Sequence, residues 1–315
     1  MSVIFHVGLP KSASTFFQRR VFPYIEDIEY ISSDTSLNKS IYEWVYRSNF
    51  VYRPLFENRN SKREKLEKIH YKILNKLRIP DNLYIKKNKL VSSEGFVGTG
   101  WDPLLNSDLN AKLIKYQHPS AKIFLVLRKQ SDWIKSMYRQ LVYVEDRFYH
   151  YVPFNKFSNI DNSQKMGSFL DLKWDLLVDQ YYSIFGRNNV LVLPYELFKE
   201  SPLKFVNHFT SFFNLKIKNK LDFKNKENVF NETDSIYKSK LSPKKILSSL
   251  FHLNYEKFFY QTSCFLNNTN NTIEIKEFES STFDQEYFSN LQKRLKISNK
   301  RLDEICDCDF SYYLD

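Results

Sequence analysis

The first residues with chemistry in their spacing are Gly8-Leu9-Pro10-Lys11-Ser12-Ala13-Ser14-Thr15, which directly follow the apolar run Val3 to Val7. Small residues let backbone N–H groups approach an oxyanion, and a following helix would turn its positive end to the same place. Lys11 adds a point charge, and Ser12, Ser14 and Thr15 add hydroxyl donors. The loop is not a Walker A loop, whose lysine follows the second glycine of G-x-x-x-x-G-K-[ST]. Here Lys11 comes early and Ala13 stands where a loop glycine would be expected. Taken alone, the segment fits either a phosphate loop or an ordinary polar strand-to-helix turn capped by serine.

A second constellation is Ile123-Phe124-Leu125-Val126-Leu127-Arg128, followed by Ser131-Asp132-Trp133-Ile134-Lys135-Ser136. Ligands of open α/β sheets bind at the C-terminal ends of the strands, where Arg128 would stand. A guanidinium with a hydroxyl from the next helix suits a phosphate monoester. The other reading pairs Arg128 with a structural carboxylate and leaves Ser136 to solvent or packing. The run ends in Arg rather than the Asp of a Walker B strand, so no Mg²⁺ site is implied.

These residues need a scaffold, and the apolar runs supply one. Val3 to Val7, Leu90 to Ser93, Ile123 to Leu127 and Val190 to Leu193 read as strands buried on both faces, as in a parallel sheet. Helical patterns alternate with them. Ser14 to Val21 is compatible with one helix, and Ser131 is the expected N-cap of a second that carries Trp133, Ile134, Met137, Tyr138 and Leu141. Phe169, Leu172, Leu176, Leu177, Tyr181 and Ile184 mark a third, stopped near Gly186. Ser201-Pro202 reads as N-cap and N1 of a fourth, with Phe205, Val206, Phe209, Phe212 and Phe213. A closing helix is expected over Asp284 to Cys306. The alternation predicts an α/β fold with a central parallel sheet flanked by helices. With no internal repeat and no linker, residues 1–315 are expected to form one domain, with a less regular Lys- and Asn-rich insertion at about 214–271.

Composition narrows the function classes. Hydrophobic residues make up 42% and aromatics 17%, enough for a sizeable core and against a disordered chain. Lys and Arg exceed Asp and Glu by 47 − 36, or +11, which favours anionic partners. Lys-rich stretches such as Lys86-Lys87-Asn88-Lys89 are short and broken, unlike a nucleic-acid arm. The three cysteines, Cys264, Cys306 and Cys308, show neither a zinc spacing nor a disulfide framework. Without a signal-peptide pattern or an apolar run of membrane-spanning length, the expected location is the cytoplasm.

The chain resembles the sulfotransferase superfamily. Pro10 to Thr15 matches its 5′-phosphosulfate loop, P-K-[ST]-[GA]-[ST]-T, residue for residue, and Phe5-His6-Val7-Gly8 and Gln18 resemble the carbohydrate-type and bacterial branch. Arg128 and Ser136 have the eight-residue spacing of its 3′-phosphate motif, with Gln130 replacing the usual proline. Val190 to Phe198, then Ser201-Pro202, is similar to a largely structural strand-plus-"YE" segment, and Ile297 to Leu302 before Tyr312-Tyr313 resembles the closing helix. The resemblance implies a P-loop-NTPase-like core and 3′-phosphoadenosine 5′-phosphosulfate as sulfuryl donor. It also implies that Pro10, Lys11, Ser12, Ala13, Ser14, Thr15, Arg128 and Ser136 bind that donor, and that Lys11 stabilises the leaving phosphate.

Small-molecule members use a histidine base after the middle strand. Here that region reads Leu90-Val91-Ser92-Ser93-Glu94-Gly95-Phe96, similar to the "S-x-E" segment of the polysaccharide-type enzymes. The resemblance therefore implies Glu94 as the base that takes the acceptor proton, with His6 as the next choice. A helix-capping or Lys-paired Glu94 is the plainer reading, and His118 is expected to be structural. The family's late G-x-x-G-x-x-K segment is missing; Lys224, Lys226 or Asn228 would be its nearest substitutes. Both departures tilt the expected acceptor toward saccharides. Aromatic residues in Tyr42 to Tyr46 and Phe50 to Tyr52, with Arg47, Arg53 and Arg59, fit either sugar contacts or core and surface. The competing functions are a P-loop nucleotide kinase or NTPase, which has the wrong lysine spacing, and a basic nucleic-acid-binding protein, which leaves the two phosphate motifs unexplained.

Overall fold

The computed structural model describes residues 3–31, 88–98, 107–143, 172–218, 221 and 285–314. Among these residues, five short strands form one sheet: β1 (Val3–His6), β2 (Ile28–Ile31), β3 (Asn88–Ser92), β4 (Lys122–Leu127) and β5 (Val190–Pro194). Their spatial order is β2-β3-β1-β4-β5, and every pairing is parallel. Among the described residues, seven α-helices flank it: α1 (Ser14–Phe16), α2 (Ser107–Gln117), α3 (Gln130–Tyr143), α4 (Trp174–Phe185), α5 (Tyr195–Glu200), α6 (Pro202–Phe213) and α7 (Gln285–Ile305). The expected α/β architecture with a central parallel sheet is the one observed.

Strand side chains alternate between two apolar layers, because successive Cβ atoms point to opposite faces. Ile4, Leu90, Phe124, Val126, Leu191 and Leu193 face one layer, with Phe17, Phe22 and the α6 residues Phe205, Phe209 and Phe213. Val3, Phe5, Val91, Ile123, Leu125 and Leu127 face the other, with Trp133, Tyr181 and Leu302. Phe124 is fully buried and its ring lies 4.8 Å from that of Phe209. Burial on both faces is why these strands read as continuous apolar runs.

The helix boundaries have local causes. Pro202 opens α6, and Asn214 ends it in the left-handed region at φ 53°. Gly186, at φ 83°, ends α4. Two helix starts differ from the sequence expectation. α3 opens at Gln130, so Ser131 lies in the first turn and Lys129 holds the cap position, its carbonyl accepting from Trp133 N at 2.8 Å. Leu172 precedes α4, which starts at Trp174; Phe169 lies outside the described residues. The stretch after α1 continues as a π-helical turn, Phe17–Val21, and a 3-10 turn, Phe22–Tyr24.

β2 and α2 lie outside the sequence expectations. β2 is a four-residue edge strand with Glu29 exposed, and Glu29 pairs with Lys89 of β3 at 2.9 Å. Of the expected insertion at about 214–271, only 214–218 and 221 are described, and Ile217 bridges to Ile25. Cys264, Lys224, Lys226, Asn228 and the 42–59 aromatics and arginines fall outside the described residues.

Candidate anion site at the strand ends

β3, β1 and β4 are neighbours, and the three segments that leave their C-terminal ends carry Glu94, Lys11 and Arg128. With strands about 4.8 Å apart, the β3 and β4 ends stand roughly 10 Å from one another, with the β1 loop between them. The chain runs from β1 out to β2 and back through β3, then crosses β1 to reach β4. A crevice at such a switch point is where open α/β sheets bind ligands.

The β1 loop is tightly wound. Lys11 and Ala13 both adopt left-handed backbone, at φ 65° and 64°. This explains why a glycine would be at home at position 13, and alanine is the smallest residue that can replace it. Gly8 is required for a different reason: a Cβ there would lie 2.7 Å from His6 Nε2.

Two cross-loop bonds pin consecutive carbonyls of this loop to the β4 side. Trp133 Nε1 donates to Pro10 O at 2.9 Å, and Arg128 Nη1 donates to Lys11 O at 2.7 Å. The Arg128 guanidinium also lies over the Tyr195 ring, 4.7 Å from its centroid. Its own turn is anchored residue by residue. Trp174 Nε1 donates to Arg128 O (2.9 Å), and Lys129 N donates to Glu196 Oε1 (3.1 Å). Gln130 Nε2 donates to Leu172 O and to Asn299 Oδ1, at 3.0 and 2.7 Å. The glutamine that replaces the usual proline thus ties the turn to α7 through its buried amide.

On the β3 side, Ser93 caps the 3-10 turn Glu94–Val97, its hydroxyl accepting from Gly95 N at 3.2 Å. Glu94 is the first residue of that turn. Burial raises its carboxyl above the usual range, and the Ser14 hydroxyl and the Lys11 ammonium draw it partly back. The structure thus brings Glu94, Ser14 and Lys11 together.

His6 takes a different place. It is fully buried against Phe17, Phe22 and Phe124, and burial lowers its pKa to about 3. Its Nδ1 meets Ser92 Oγ at 2.7 Å, and Gln18 Nε2 donates to the same oxygen at 3.0 Å. His118 is also buried and neutral, its pKa lowered to about 4 by burial, beside the Phe5 ring.

Two buried polar groups of the crevice have no hydrogen-bond partner: Ser12 Oγ and Arg128 Nε. Unmade bonds at buried groups are costly, so an array of donors with two cations suits an anionic ligand. Pro10 is buried and contributes its carbonyl to Trp133, and Thr15 is half-buried in α1. Ser136 is half-buried in the second turn of α3, with no hydrogen bond to Arg128. Trp133, Trp174, Tyr195, Gln130 and Glu196 shape the site without an obvious chemical motif. Their signal was indirect: a buried indole needs an acceptor, and a buried carboxylate needs a donor. A separate cavity of about 340 Å³ lies against Val190, Leu191 and Val192, lined also by His208 and Cys308, and includes none of these residues.

No family model and no curated protein matches the chain. Among solved structures, a sulfotransferase from Alicyclobacillus acidocaldarius is similar over 99% of this chain and 98% of its own, with a TM-score of 0.57 and 14% identity. A mouse sulfotransferase complexed with PAP is similar over 86% of each chain, with a TM-score of 0.38 and 14% identity. The first of these likenesses shows the fold: the P-loop-NTPase-like α/β core expected from the motifs.

Proposed function

We propose that this chain is a sulfotransferase that takes the sulfuryl group from 3′-phosphoadenosine 5′-phosphosulfate and passes it to an acceptor hydroxyl, in a saccharide. The observation that carries this reading is the meeting of Lys11, Glu94 and Arg128 at the ends of three adjacent strands, around buried donors that lack partners. The shared fold with the Alicyclobacillus sulfotransferase, over nearly the whole of both chains, supports it. An anionic donor with a phosphate at each end fits a crevice with one cation on the β1 loop and another after β4.

When bound, the donor supplies an activated sulfuryl group on its 5′-phosphate and a 3′-phosphate as a handle. Pro10 to Thr15 form the cradle for the 5′ end, with the hydroxyls of Ser12 and Ser14 buried in it. Arg128, with Ser136 from α3, holds the 3′ end. Lys11 meets the negative charge that builds on the departing phosphate oxygen. Glu94 takes the proton of the acceptor hydroxyl. Burial makes it a stronger base than an exposed carboxylate, and Lys11 beside it keeps it ionisable. His6, enclosed by phenylalanines, has no path to an acceptor and serves to position Ser92. A glutamate in place of a histidine base, and the missing glycine segment, support the saccharide acceptor.

Calorimetric titration with adenosine 3′,5′-bisphosphate, with Mg²⁺ chelated, tests the cofactor. Saturable binding that weakens at least tenfold in Arg128→Ala is expected. Binding only of ATP with Mg²⁺ would favour a kinase and refute this reading. Incubation with the donor and a panel of glycans, lipids and phenols, read by mass spectrometry, tests the acceptor. Mass gain on phenols alone would exclude a saccharide.

A further inference from the structure

We infer that Glu196 is a positioning residue for the 3′-phosphate site, holding the turn that aims Arg128. The inference rests on the cofactor reading above and names a residue that no motif assigns to the site.

Arg128 itself touches the loop through Lys11 O and the ring of Tyr195. Where its guanidinium points depends on the backbone of residues 128–130. That backbone has one N–H donor held by an acidic side chain, Lys129 N to Glu196 Oε1. Lys129 is the cap residue of α3. In a capping box, the N–H of the cap residue is bound by the side chain at the third helical position. Here a carboxylate from α5 does that work across the sheet edge. Glu196 follows Tyr195 at the end of β5, so one dipeptide supplies both the ring under the guanidinium and the cap on the next residue.

The carboxylate is buried, with Lys129 N on its Oε1 and no hydrogen-bond partner on its Oε2. Tyr313 is itself fully buried, and its carbonyl accepts from Asn299 Nδ2 at 2.8 Å. Asn299 in turn receives Gln130 Nε2. The turn is therefore held from two sides: Glu196 binds the backbone of Lys129, and Asn299, itself tied to the Tyr313 carbonyl, accepts from Gln130. A buried carboxylate with one oxygen unpaired costs stability, so its retention calls for a geometric role.

The test compares two ligands, adenosine 3′,5′-bisphosphate and adenosine 5′-monophosphate, by calorimetry. Their affinity ratio reads the 3′-phosphate contact alone. Glu196→Asp keeps charge and burial but withdraws the acceptor from Lys129 N. The ratio should fall about tenfold, with monophosphate affinity unmoved, the size expected for one charge-assisted bond. Glu196→Gln keeps an oxygen for Lys129 N and should hold the ratio within about threefold of the parent. A Glu196→Asp chain with the parent's ratio, or one that loses both ligands equally, overturns the inference while leaving the cofactor reading intact. A parent chain that binds the two ligands equally overturns the cofactor reading, and this inference with it.

Discussion

Trp133→Phe isolates the pinning of the phosphate loop. Trp133 is fully buried, its ring 5.7 Å from that of Trp174 in an edge-on contact, and its indole N–H reaches Pro10 O at 2.9 Å. Phenylalanine keeps most of the packing and removes the donor. The Pro10 carbonyl is left buried and unpaired, at a cost of about 1–3 kcal/mol. The smaller ring leaves a gap of roughly 40 Å³, worth about 1 kcal/mol at ~24 cal/mol per Å³. The expected loss is therefore about 2–4 kcal/mol in denaturant unfolding, within the roughly 5–15 kcal/mol of a typical domain. A second effect follows from the backbone. Lys11 and Ala13 are held at φ 65° and 64°, conformations that cost non-glycine residues about 1–3 kcal/mol each. With one of two tethers cut, the empty loop can relax, and a ligand must restore it. Recovering about 1.4 kcal/mol of that strain weakens adenosine 3′,5′-bisphosphate about tenfold. Affinity is read by calorimetry at a temperature where the variant is folded. A variant that loses less than about 1 kcal/mol, or that loses stability but binds as the parent does, refutes the account of a strained, tethered loop.

Three further outcomes are expected. Glu94→Gln should abolish sulfuryl transfer and yet raise the melting temperature at pH 7. Burial lifts this carboxyl's pKa in the folded state, so the stability it contributes is full below the ordinary glutamate value and lost as pH rises through the raised one. The gain should vanish near pH 4, and full activity in the variant would dismiss Glu94 as the base. Gly8→Ala should cost at least about 2 kcal/mol in denaturant unfolding, because its Cβ would lie 2.7 Å from His6 Nε2 in a closed aromatic cage. Unchanged stability would show that the ring can move. Finally, burial lowers the pKa of His6 to about 3 and of His118 to about 4. Their contribution is present above the ordinary value of 6.5 and lost as pH falls through that window. The slope should be up to about 1.4 kcal/mol per pH unit for each. Stability that stays flat between pH 6.5 and 5 would mean that one or both rings are more open to water than described.

The sequence was most informative where burial on both faces forces an unbroken apolar run. Ile123 to Leu127 could be read as a strand from composition alone, and Arg128 placed at its end by counting. Motif spacing located Lys11 in the same way. Glu94 was legible only by its place after a weak run, because β3 begins with the polar pair Asn88-Lys89. β2 was not legible: four residues at a sheet edge, one of them an exposed glutamate, carry too little pattern. α3 starts two residues before the point a serine cap at Ser131 implies, because a serine is the usual cap, whereas here Glu196 binds the N–H of the cap residue Lys129 from another element. Caps supplied from a distance leave no local trace.

The same distinction separates the residues that would do the chemistry from those that aim them. Lys11, Glu94 and Arg128 sit in segments whose local pattern is fixed by their strands, so their positions follow from sequence. What gives those positions their geometry comes from 46 to 169 residues away in the chain: Trp133 on Pro10, Arg128 on Lys11, Trp174 on Arg128, Glu196 on Lys129, Asn299 on Gln130. Each of these partners is buried or half-buried, and all but Arg128 sit in helices whose apolar faces look like ordinary core. A single strained loop can be held ready for an anion only if its surroundings over-determine it. Here five elements do so, and because phenylalanine keeps most of the Trp133 packing, the Trp133 to Pro10 tether is the one whose loss should be read in binding.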